Sequence, residues 1–271
     1  MEAIMNFSVT LVGAGNMGGA MLRGWLENGL QPDKASVIDP SPSPAMSKFL
    51  AEKGVKHSES GADLSAGDVL MIAVKPQMME TVLPHIAHLA GQQTVVVSVA
   101  AGTTMTTLAG AFGDAAIVRV MPNTPSLVGR GMSVACANDT ATTEQRSRVA
   151  ALMQAVGRVE WVEDEKLIDA VTAVSGSGPA YVFHLAECMA AAGEEAGLPK
   201  ELAMILARET VSGAGELMRL SEDTPETLRK NVTSPGGTTQ AALEVLMEHE
   251  VMQKLFETAI AAAKKRSQEL S

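Results

Sequence analysis

A short β-branched run stands directly before a glycine-rich turn and a helical stretch near the start of the chain. FSVTLV (7–12) is followed by GAGNMGGAMLRGWLENG, in which Gly13, Gly15 and Gly18 have the spacing G-x-G-x-x-G. Between a strand and a helix, these glycines permit a tight turn, a close approach of the backbone to a pyrophosphate, and close packing of helix on strand. The segment therefore predicts a dinucleotide-binding turn and a helix that stops at Gly29. A glycine-rich turn without a ligand is the alternative.

Further apolar runs of strand length follow, separated by helical stretches. They are ASVID (35–39), VLMIAV (69–74), TVVVSVAA (94–101) and AIVRVM (116–121), with weaker candidates at 132–137 and 158–162. Continuous apolar runs are typical of strands that are buried on both faces of a parallel sheet. Strands that alternate with helices at this spacing predict a doubly wound sheet.

The pattern changes near residue 163. Beyond it, apolar residues recur at helical spacing without a convincing strand, and stretches such as AMILARETVSGAG are apolar on more than one face. Such helices must be buried, and burying several of them in a domain of about 100 residues is difficult, which indicates that another subunit covers them. The predicted fold is therefore α/β: an N-terminal Rossmann-like doubly wound dinucleotide-binding domain (1–163), followed by an all-α dimerisation and substrate-binding domain (164–271).

Composition excludes several classes of function. The net charge is −10 and the chain has no basic stripe, so we expect no nucleic-acid partner. The first residues do not form a signal peptide and no apolar run reaches the length of a membrane span, which predicts a cytoplasmic protein without a membrane partner. Cys136 and Cys188 lie in apolar surroundings and are predicted to be buried free thiols. We expect no metal site.

The second predicted strand ends at Asp39, about twenty residues after the glycine turn. An acidic residue at this place accepts hydrogen bonds from an adenosine ribose, which favours NAD. The 2′-phosphate of NADP would meet a carboxylate there, with no arginine nearby to compensate. Ser41, Ser43 and Lys48 could bind that phosphate if Asp39 turned away, so NADP or NAD remains open as the cofactor. An ordinary Asp-Pro turn is the alternative for Asp39.

Three more loops follow the ends of predicted strands: AVKP (73–76), VAAGT (99–103) and MPNTP (121–125). In an open α/β sheet the ligand crevice lies outside the carboxyl ends of the strands, so these loops are expected at the nicotinamide half of the cofactor. With the glycine turn, they give the remaining candidate cofactor-binding residues: Ala14, Asn16, Met17, Ala73, Val74, Lys75, Pro76, Ala100, Ala101, Asn123 and Thr124.

Six segments together resemble one enzyme family over nearly the whole chain. GAGNMG, AVKP, VAAGT, RVMPNTP, AVSGSGPAYVF and NVTSPGGTTQAAL, in this order and spacing, resemble Δ1-pyrroline-5-carboxylate reductase. The resemblance implies hydride transfer from NAD(P)H to the C=N bond of pyrroline-5-carboxylate, giving L-proline in the last step of proline biosynthesis. It also implies interlaced homodimers formed by the helical halves, and it leaves open a larger ring such as a decamer of dimers.

The segment SPGGTT (234–239) has a physical explanation in that reaction. A helix that begins here would offer free N–H groups to the substrate carboxylate, because Gly236 and Gly237 keep side chains away and Thr238 and Thr239 add hydroxyl donors. A Ser/Thr N-cap with a proline in the first turn is the alternative. The resemblance places Thr239 at the ring nitrogen as the catalytic residue, and Ser177, Glu222 and Asn231 with the substrate.

Two other classes of protein share the order of an α/β half and a helical half. A β-hydroxyacid dehydrogenase must move a hydroxyl proton, and that family's pattern places a lysine on the helix after a Gly-x-Gly turn. The corresponding stretch here, SGSGPAYVFHLAE (175–187), contains no lysine. A protonated imine is already electrophilic, so positioning can supply much of the rate acceleration without a general acid. A non-catalytic NAD(P)-binding protein is the third alternative, and it would not need SPGGTT.

Overall fold

The computed structural model describes residues 5–270, which form two compact units. The first unit contains the residues up to Gly176 together with those from Ala263 onward, and the second contains Ser177–Ala262. The predicted boundary at residue 163 precedes this division, and it stays a prediction.

An eight-stranded sheet forms the centre of the first unit. Its strands are β1 Val9–Val12, β2 Ala35–Ile38, β3 Lys56–Ser58, β4 Val69–Ile72, β5 Val95–Ser98, β6 Ala116–Met121, β7 Gly131–Ala137 and β8 Gly157–Trp161. The order is β3-β2-β1-β4-β5-β6-β7-β8. All neighbouring pairs are parallel except β6 and β7, which are antiparallel. This confirms the doubly wound sheet and both weaker strand candidates, and it adds the short edge strand β3, which the sequence pattern missed.

Helices follow the strands along the chain and cover the sheet. They are α1 Asn16–Glu27, α2 Pro44–Lys53, α3 Met79–Ile86, α4 Met105–Phe112, α5 Thr143–Gln154 and α6 Ile168–Val171, with short 3₁₀ turns at Pro32–Lys34, Pro76–Met78, Ala87–Leu89, Thr124–Val128 and Glu165–Leu167 and a π-helical turn at Thr172–Gly176. The first helix stops at Glu27, two residues before the predicted Gly29. Its last turn is closed by the Asn28 carboxamide, which donates to the Gly24 carbonyl at 2.8 Å.

Apolar side chains fill the space on both faces of the sheet. On one face Leu11 and Val97 pack with Trp25 of α1 and Leu152 of α5, all of them fully buried. The Trp25 indole N–H donates to the Leu152 carbonyl at 2.9 Å, which satisfies its one polar atom. On the other face a second cluster includes Leu108 of α4. Two covered faces explain why the strands are continuously apolar.

The second unit consists of helices. They are α7 Gly178–Glu195, α8 Lys200–Leu220, α9 Pro225–Asn231, α10 Thr238–Met247 and the start of α11 Val251–Glu269, which is preceded by a 3₁₀ turn at Glu248–Glu250. Among residues 177–262, all of which are described, the buried positions are Ala190, Ala203 and Ala207. The large apolar side chains of these helices are therefore mostly exposed in the single chain, as the sequence predicted for a unit that another subunit covers.

The two cysteines differ in their surroundings. Both are free thiols, but Cys136 is buried on β7 whereas Cys188 is exposed on α7. The prediction of a buried thiol was therefore wrong for Cys188 in the single chain, because α7 turns only part of its surface toward α8. Along residues 5–270, no helix has both the length and the apolar character that crossing a membrane requires.

Candidate cofactor and substrate sites

The glycine turn lies between β1 and α1, as predicted, and its three glycines have different surroundings. Gly13 has φ +89°, and a Cβ there would lie 2.9 Å from Cγ1 of Val74 and 3.0 Å from the carbonyl oxygen of Ala73. A Cβ on Gly18 would collide with the carbonyl oxygen of Gly13. Gly15 has nothing within 4 Å of the corresponding position, and it precedes α1 without a side-chain cap. Gly15 and Asn16 line open cavities, so the uncapped first turn of α1 offers space that an anion can occupy.

Four strand ends enclose one cavity of about 390 Å³. Every predicted residue of the loops after β4, β5 and β6 lines it, together with part of the glycine turn: Gly15, Asn16, Met17, Ala73, Val74, Lys75, Pro76, Ala100, Ala101, Asn123 and Thr124. Val99, Met121 and Pro122 of the same predicted loops line it as well, and so does Gly176, which was not predicted. The cavity lies at the carboxyl edge of the parallel strands, where a doubly wound sheet binds its ligand.

The Asn123 carboxamide has hydrogen-bond partners within the protein. Its side-chain oxygen accepts from the N–H of Met132 at 2.8 Å, and its side-chain nitrogen donates to the hydroxyl of Ser175 at 3.3 Å. The carboxamide thus joins the loop after β6 to β7 and to the π-helical turn. Asn123 lines the cavity while its side chain is already hydrogen-bonded within the protein.

A second cavity, of about 690 Å³, extends from the glycine turn along α1 to the loop after β2. Ala14, Gly15, Asn16, Asp39, Ser41 and Ser43 line it, and so does Arg23. The prediction that no arginine lies nearby was therefore wrong. Arg23 follows Asn16 and Ala20 at helical spacing on the same face of α1, a periodicity that the sequence contained. Its guanidinium lies 3.9 Å from the centre of the Phe49 ring. Lys48, the other candidate cation for the 2′-phosphate, is exposed, and its Nζ lies 3.7 Å from Oε1 of Glu52.

Both oxygens of the Asp39 carboxylate accept hydrogen bonds from backbone N–H groups. Oδ2 accepts from the N–H of Ala14 at 2.8 Å, and Oδ1 accepts from the N–H of Ser41 at 2.9 Å. Asp39 therefore fastens the glycine turn to the loop after β2. This contact was not apparent from the sequence, because 25 residues separate Asp39 from Ala14.

The segment SPGGTT precedes α10, as predicted. Gly236 has φ +69°, and Gly237 is the N-cap residue without a side chain to cap the turn. The alternative of a Ser/Thr N-cap therefore does not apply to this helix. The N–H of Gly237 is already donated to the Ser234 carbonyl at 3.0 Å, so the N–H groups that remain for an anion are the first-turn ones, among them those of Thr238 and Thr239. The Gln240 side chain accepts from the N–H of Gly236 at 2.7 Å and fixes the start of the turn.

The other predicted substrate residues belong to the same helical unit. Ser177 directly precedes α7 and is half-buried, Glu222 lies between α8 and α9, and Asn231 ends α9. Glu222, Asn231 and Thr238 are exposed in the single chain, whereas Thr239 is half-buried. The gathering of these side chains into one site stays a prediction.

A Rossmann-type sheet with an open glycine turn and a cavity at its carboxyl edge defines a dinucleotide-binding protein of the oxidoreductase type. Comparison with known proteins identifies a family within this class. Residues 165–270 match the family model of pyrroline-5-carboxylate reductase dimerisation, and residues 8–102 match that of NADP oxidoreductase, coenzyme F420-dependent.

Relatives of known function cover nearly the whole chain. The pyrroline-5-carboxylate reductase of Pseudomonas aeruginosa is 38% identical, with 97% of this chain and 96% of that protein covered. The one of Pisum sativum is 36% identical, with 98% and 97% covered. The solved structure of the Coxiella burnetii enzyme is 36% identical, has a TM-score of 0.91 and covers 98% of both chains. The Plasmodium falciparum enzyme, solved with NADP bound, is 28% identical with a TM-score of 0.82 and 99% of both chains covered. The chain belongs to the pyrroline-5-carboxylate reductase family.

Proposed function

We propose that the chain is a pyrroline-5-carboxylate reductase that uses NADPH or NADH. The observation that carries the proposal is the cavity of about 390 Å³. The open glycine turn and the loops after β4, β5 and β6 enclose it, and the sequences of these four segments resemble those of the family. When bound, the nicotinamide supplies a hydride to the C=N carbon of protonated Δ1-pyrroline-5-carboxylate. The electron pair of the C=N π bond goes to the nitrogen, and L-proline and the oxidised dinucleotide are the products.

The residues of the first unit bind and orient the cofactor. The first-turn N–H groups of α1, next to Gly15, bind the pyrophosphate, because a helix N-terminus favours an anion. Small side chains at Ala100 and Ala101 leave space for the nicotinamide ring. Arg23, Ser41 and Ser43 line the cavity that would hold the adenosine, so a 2′-phosphate has donors beside Asp39. This supports NADPH as well as NADH.

The residues of the helical unit bind the substrate. The N–H groups of Thr238 and Thr239, at the start of α10, bind its carboxylate, and the Thr239 hydroxyl hydrogen-bonds the ring nitrogen. Ser177, Glu222 and Asn231 complete the substrate site. After hydride transfer the nitrogen is an ordinary amine, so no side chain has to deliver a proton in the same step. Positioning then supplies much of the rate acceleration.

The helical unit also forms a homodimer. Its exposed apolar side chains, among them Phe183 and Ile205, and the dimerisation model that matches residues 165–270 support this assembly. A larger ring such as a decamer of dimers, a cytoplasmic location and the lack of a nucleic-acid partner stay predictions.

An absorbance assay at 340 nm tests the function. Pyrroline-5-carboxylate is added to the purified protein with NADH or with NADPH, and we expect a substrate-dependent fall in absorbance together with one L-proline formed for each dinucleotide oxidised. A 3-hydroxy acid with NAD or NADP is the matched comparison for the β-hydroxyacid dehydrogenase alternative. Dinucleotide binding without oxidation by any of these compounds would favour the non-catalytic alternative.

A further inference from the structure

The C-terminal turn, residues Ser267–Leu270 at the end of α11, lies against the loop that connects β5 to α4. Gly102, in the middle of this loop, has φ +76°. A Cβ on Gly102 would lie 2.5 Å from the carbonyl oxygen of Leu270 and 3.3 Å from the Leu270 Cβ. The two backbones are therefore in close contact, and a residue without a side chain is required at position 102 for both conformation and space.

A buried hydroxyl holds this last turn in place. Ser267 is 6% exposed, and its hydroxyl donates to Oδ1 of Asp169 at 2.7 Å. Hydrogen bonds that a carboxylate accepts are shorter and stronger than neutral ones. Asp169 belongs to α6, whose buried Ile168 packs against Val134 and Cys136 of β7. The C-terminal turn is thus fastened, through α6, to the central sheet.

The same loop is fastened where it enters α4. Oε1 of Glu165 accepts from the N–H of Met105 at 2.8 Å and from Nη1 of Arg119 at 2.8 Å. The Arg119 side chain is only 5% exposed and that of Glu165 is 29% exposed, so the guanidinium is shielded from water while the carboxylate is partly accessible to it. Ala100 and Ala101, which lie between the end of β5 and these two anchors, line the cavity of about 390 Å³. The anchoring side chains do not line the cavity themselves.

We propose that the C-terminal turn, residues Ser267–Leu270, positions the loop that forms the wall of the nicotinamide site. The proposal rests on the proposed function, because that function places the nicotinamide ring in this cavity. Contact with Leu270 prevents Gly102 from moving outward and keeps Ala100 and Ala101 at the distance that the ring requires. Ser267 and Asp169 are positioning residues that act through Gly102, since neither lines the cavity. Loss of their hydrogen bond lets the loop move and weakens contacts to the ring alone.

The test compares two ligands that share the adenosine and pyrophosphate but differ in the nicotinamide. Binding of NADH and of ADP-ribose to the full chain is measured by calorimetry in the absence of substrate. We expect Asp169→Ala to weaken NADH about three- to tenfold, as for the loss of one hydrogen bond, and to leave ADP-ribose unchanged. Asp169→Asn keeps an acceptor for Ser267 and should bind NADH as the wild type does. Ser147→Ala is the matched control, because the Ser147 hydroxyl donates within its own helix, to Thr143.

A second variant reaches the same contact from the loop. Gly102→Ala places a methyl group against the Leu270 carbonyl, so NADH should again be weakened while ADP-ribose is not. Because no substrate is present, the result is independent of whether pyrroline-5-carboxylate is reduced. The 340 nm assay tests that question separately. Unchanged NADH affinity in both Asp169→Ala and Gly102→Ala, or an equal loss of ADP-ribose, would overturn the proposal.

Discussion

Thr239 is the side chain on which the proposed substrate site depends most. It lies in the first turn of α10 and is half-buried, and the N-cap residue of that helix is Gly237. Losing one hydrogen bond at a buried polar site costs about 1–3 kcal/mol, or roughly ten- to a hundredfold in rate. We therefore expect Thr239→Ala to lower kcat/KM for pyrroline-5-carboxylate by that factor. The dissociation constant of NADPH should stay the same.

Two further measurements separate chemistry from helix stability. Thr239→Ser keeps the hydroxyl and should restore most of kcat/KM. If Thr239 only stabilised the start of α10, its removal would lower Tm and leave the kinetics of the folded enzyme intact. Since the helix is capped at Gly237 and not by the Thr239 hydroxyl, we expect the opposite pattern.

Asp39 is expected to affect both cofactors rather than to choose between them. Its carboxylate accepts from the N–H groups of Ala14 and Ser41 and thereby fastens the glycine turn. Asp39→Ala should raise KM for NADH and for NADPH by similar factors, about three- to tenfold for a lost hydrogen bond. Ser41→Ala keeps the backbone N–H and should leave KM for NADH unchanged. A change in the NADH-to-NADPH ratio alone would mean that Asp39 acts directly on the ribose.

At the residue scale, the sequence predicted those parts of the site that depend on local spacing. Gly13 and Gly18 are constrained by neighbours in a strand–turn–helix unit, so their spacing already indicated the turn. The bond between Asp39 and Ala14 joins two strand ends, and the contact between Gly102 and Leu270 spans most of the chain. Contacts of this kind depend on how the elements pack, which one sequence does not reveal.

At the scale of elements, the strands that the sequence predicted most clearly are those in the middle of the sheet, and the edge strand β8 was a weaker candidate. Burial on both faces gives β4 and β5 a continuous apolar run that is easy to recognise. The edge strand β3 has the sequence KHS, with Lys56 and His57 exposed, and therefore lacks this signal. The direction of a strand is not predicted by its apolar pattern either. The pairing of β7 with β6 is antiparallel, but the apolar residues of β7 do not indicate this.

One carboxylate joins three elements at the amino-terminal ends of the central strands, opposite the cavity at their carboxyl ends. Asp68, just before β4, accepts at 2.8 Å from both the N–H and the hydroxyl of Ser8, which precedes β1. Its second oxygen accepts from Arg148 of α5 at 2.9 Å. Burial raises the pKa of Asp68, but the hydrogen bonds from Ser8 and the charge of Arg148 outweigh it, and the pKa lies below its ordinary value of 3.8.

This network predicts a pH-dependent contribution to stability. A lowered pKa in the folded state means that the contribution is complete above pH 3.8 and is lost as the pH falls through the folded value. Asp68→Asn should therefore lower Tm at pH 7 by about 2–4 °C, the shift that about 1 kcal/mol produces in a chain of this size. The difference from the wild type should shrink as the pH falls below 3.8. Asp139→Asn, at an exposed turn before α5, is the control, and a difference that persisted undiminished in acid would contradict the assignment.

At the scale of the whole molecule, the two units differ in how much apolar surface they bury. The sheet and its helices enclose two large apolar clusters. Residues 177–262 bury three alanines, while the large apolar side chains of Phe183, Ile205 and Leu217 are each more than half exposed. Burial of apolar surface is what offsets the loss of chain entropy on folding. We therefore expect a helical unit with so little buried apolar surface to depend on a second copy for its stability.

The last prediction follows from this dependence. Unfolding should be coupled to dissociation, so Tm should rise with protein concentration, and sedimentation equilibrium should show a dimer or a larger assembly at micromolar concentration. Ile205→Glu places a charge on the exposed apolar face of α8, where it would have to be buried without a partner in the dimer. We expect this variant to dissociate and to lose the helical signal of the second unit. Leu127→Glu is the matched control, because Leu127 is 58% exposed, like Ile205, but belongs to the first unit. A stable wild-type monomer whose Tm does not change with concentration would contradict the coupling, since the helices would then be folded with their apolar faces in water.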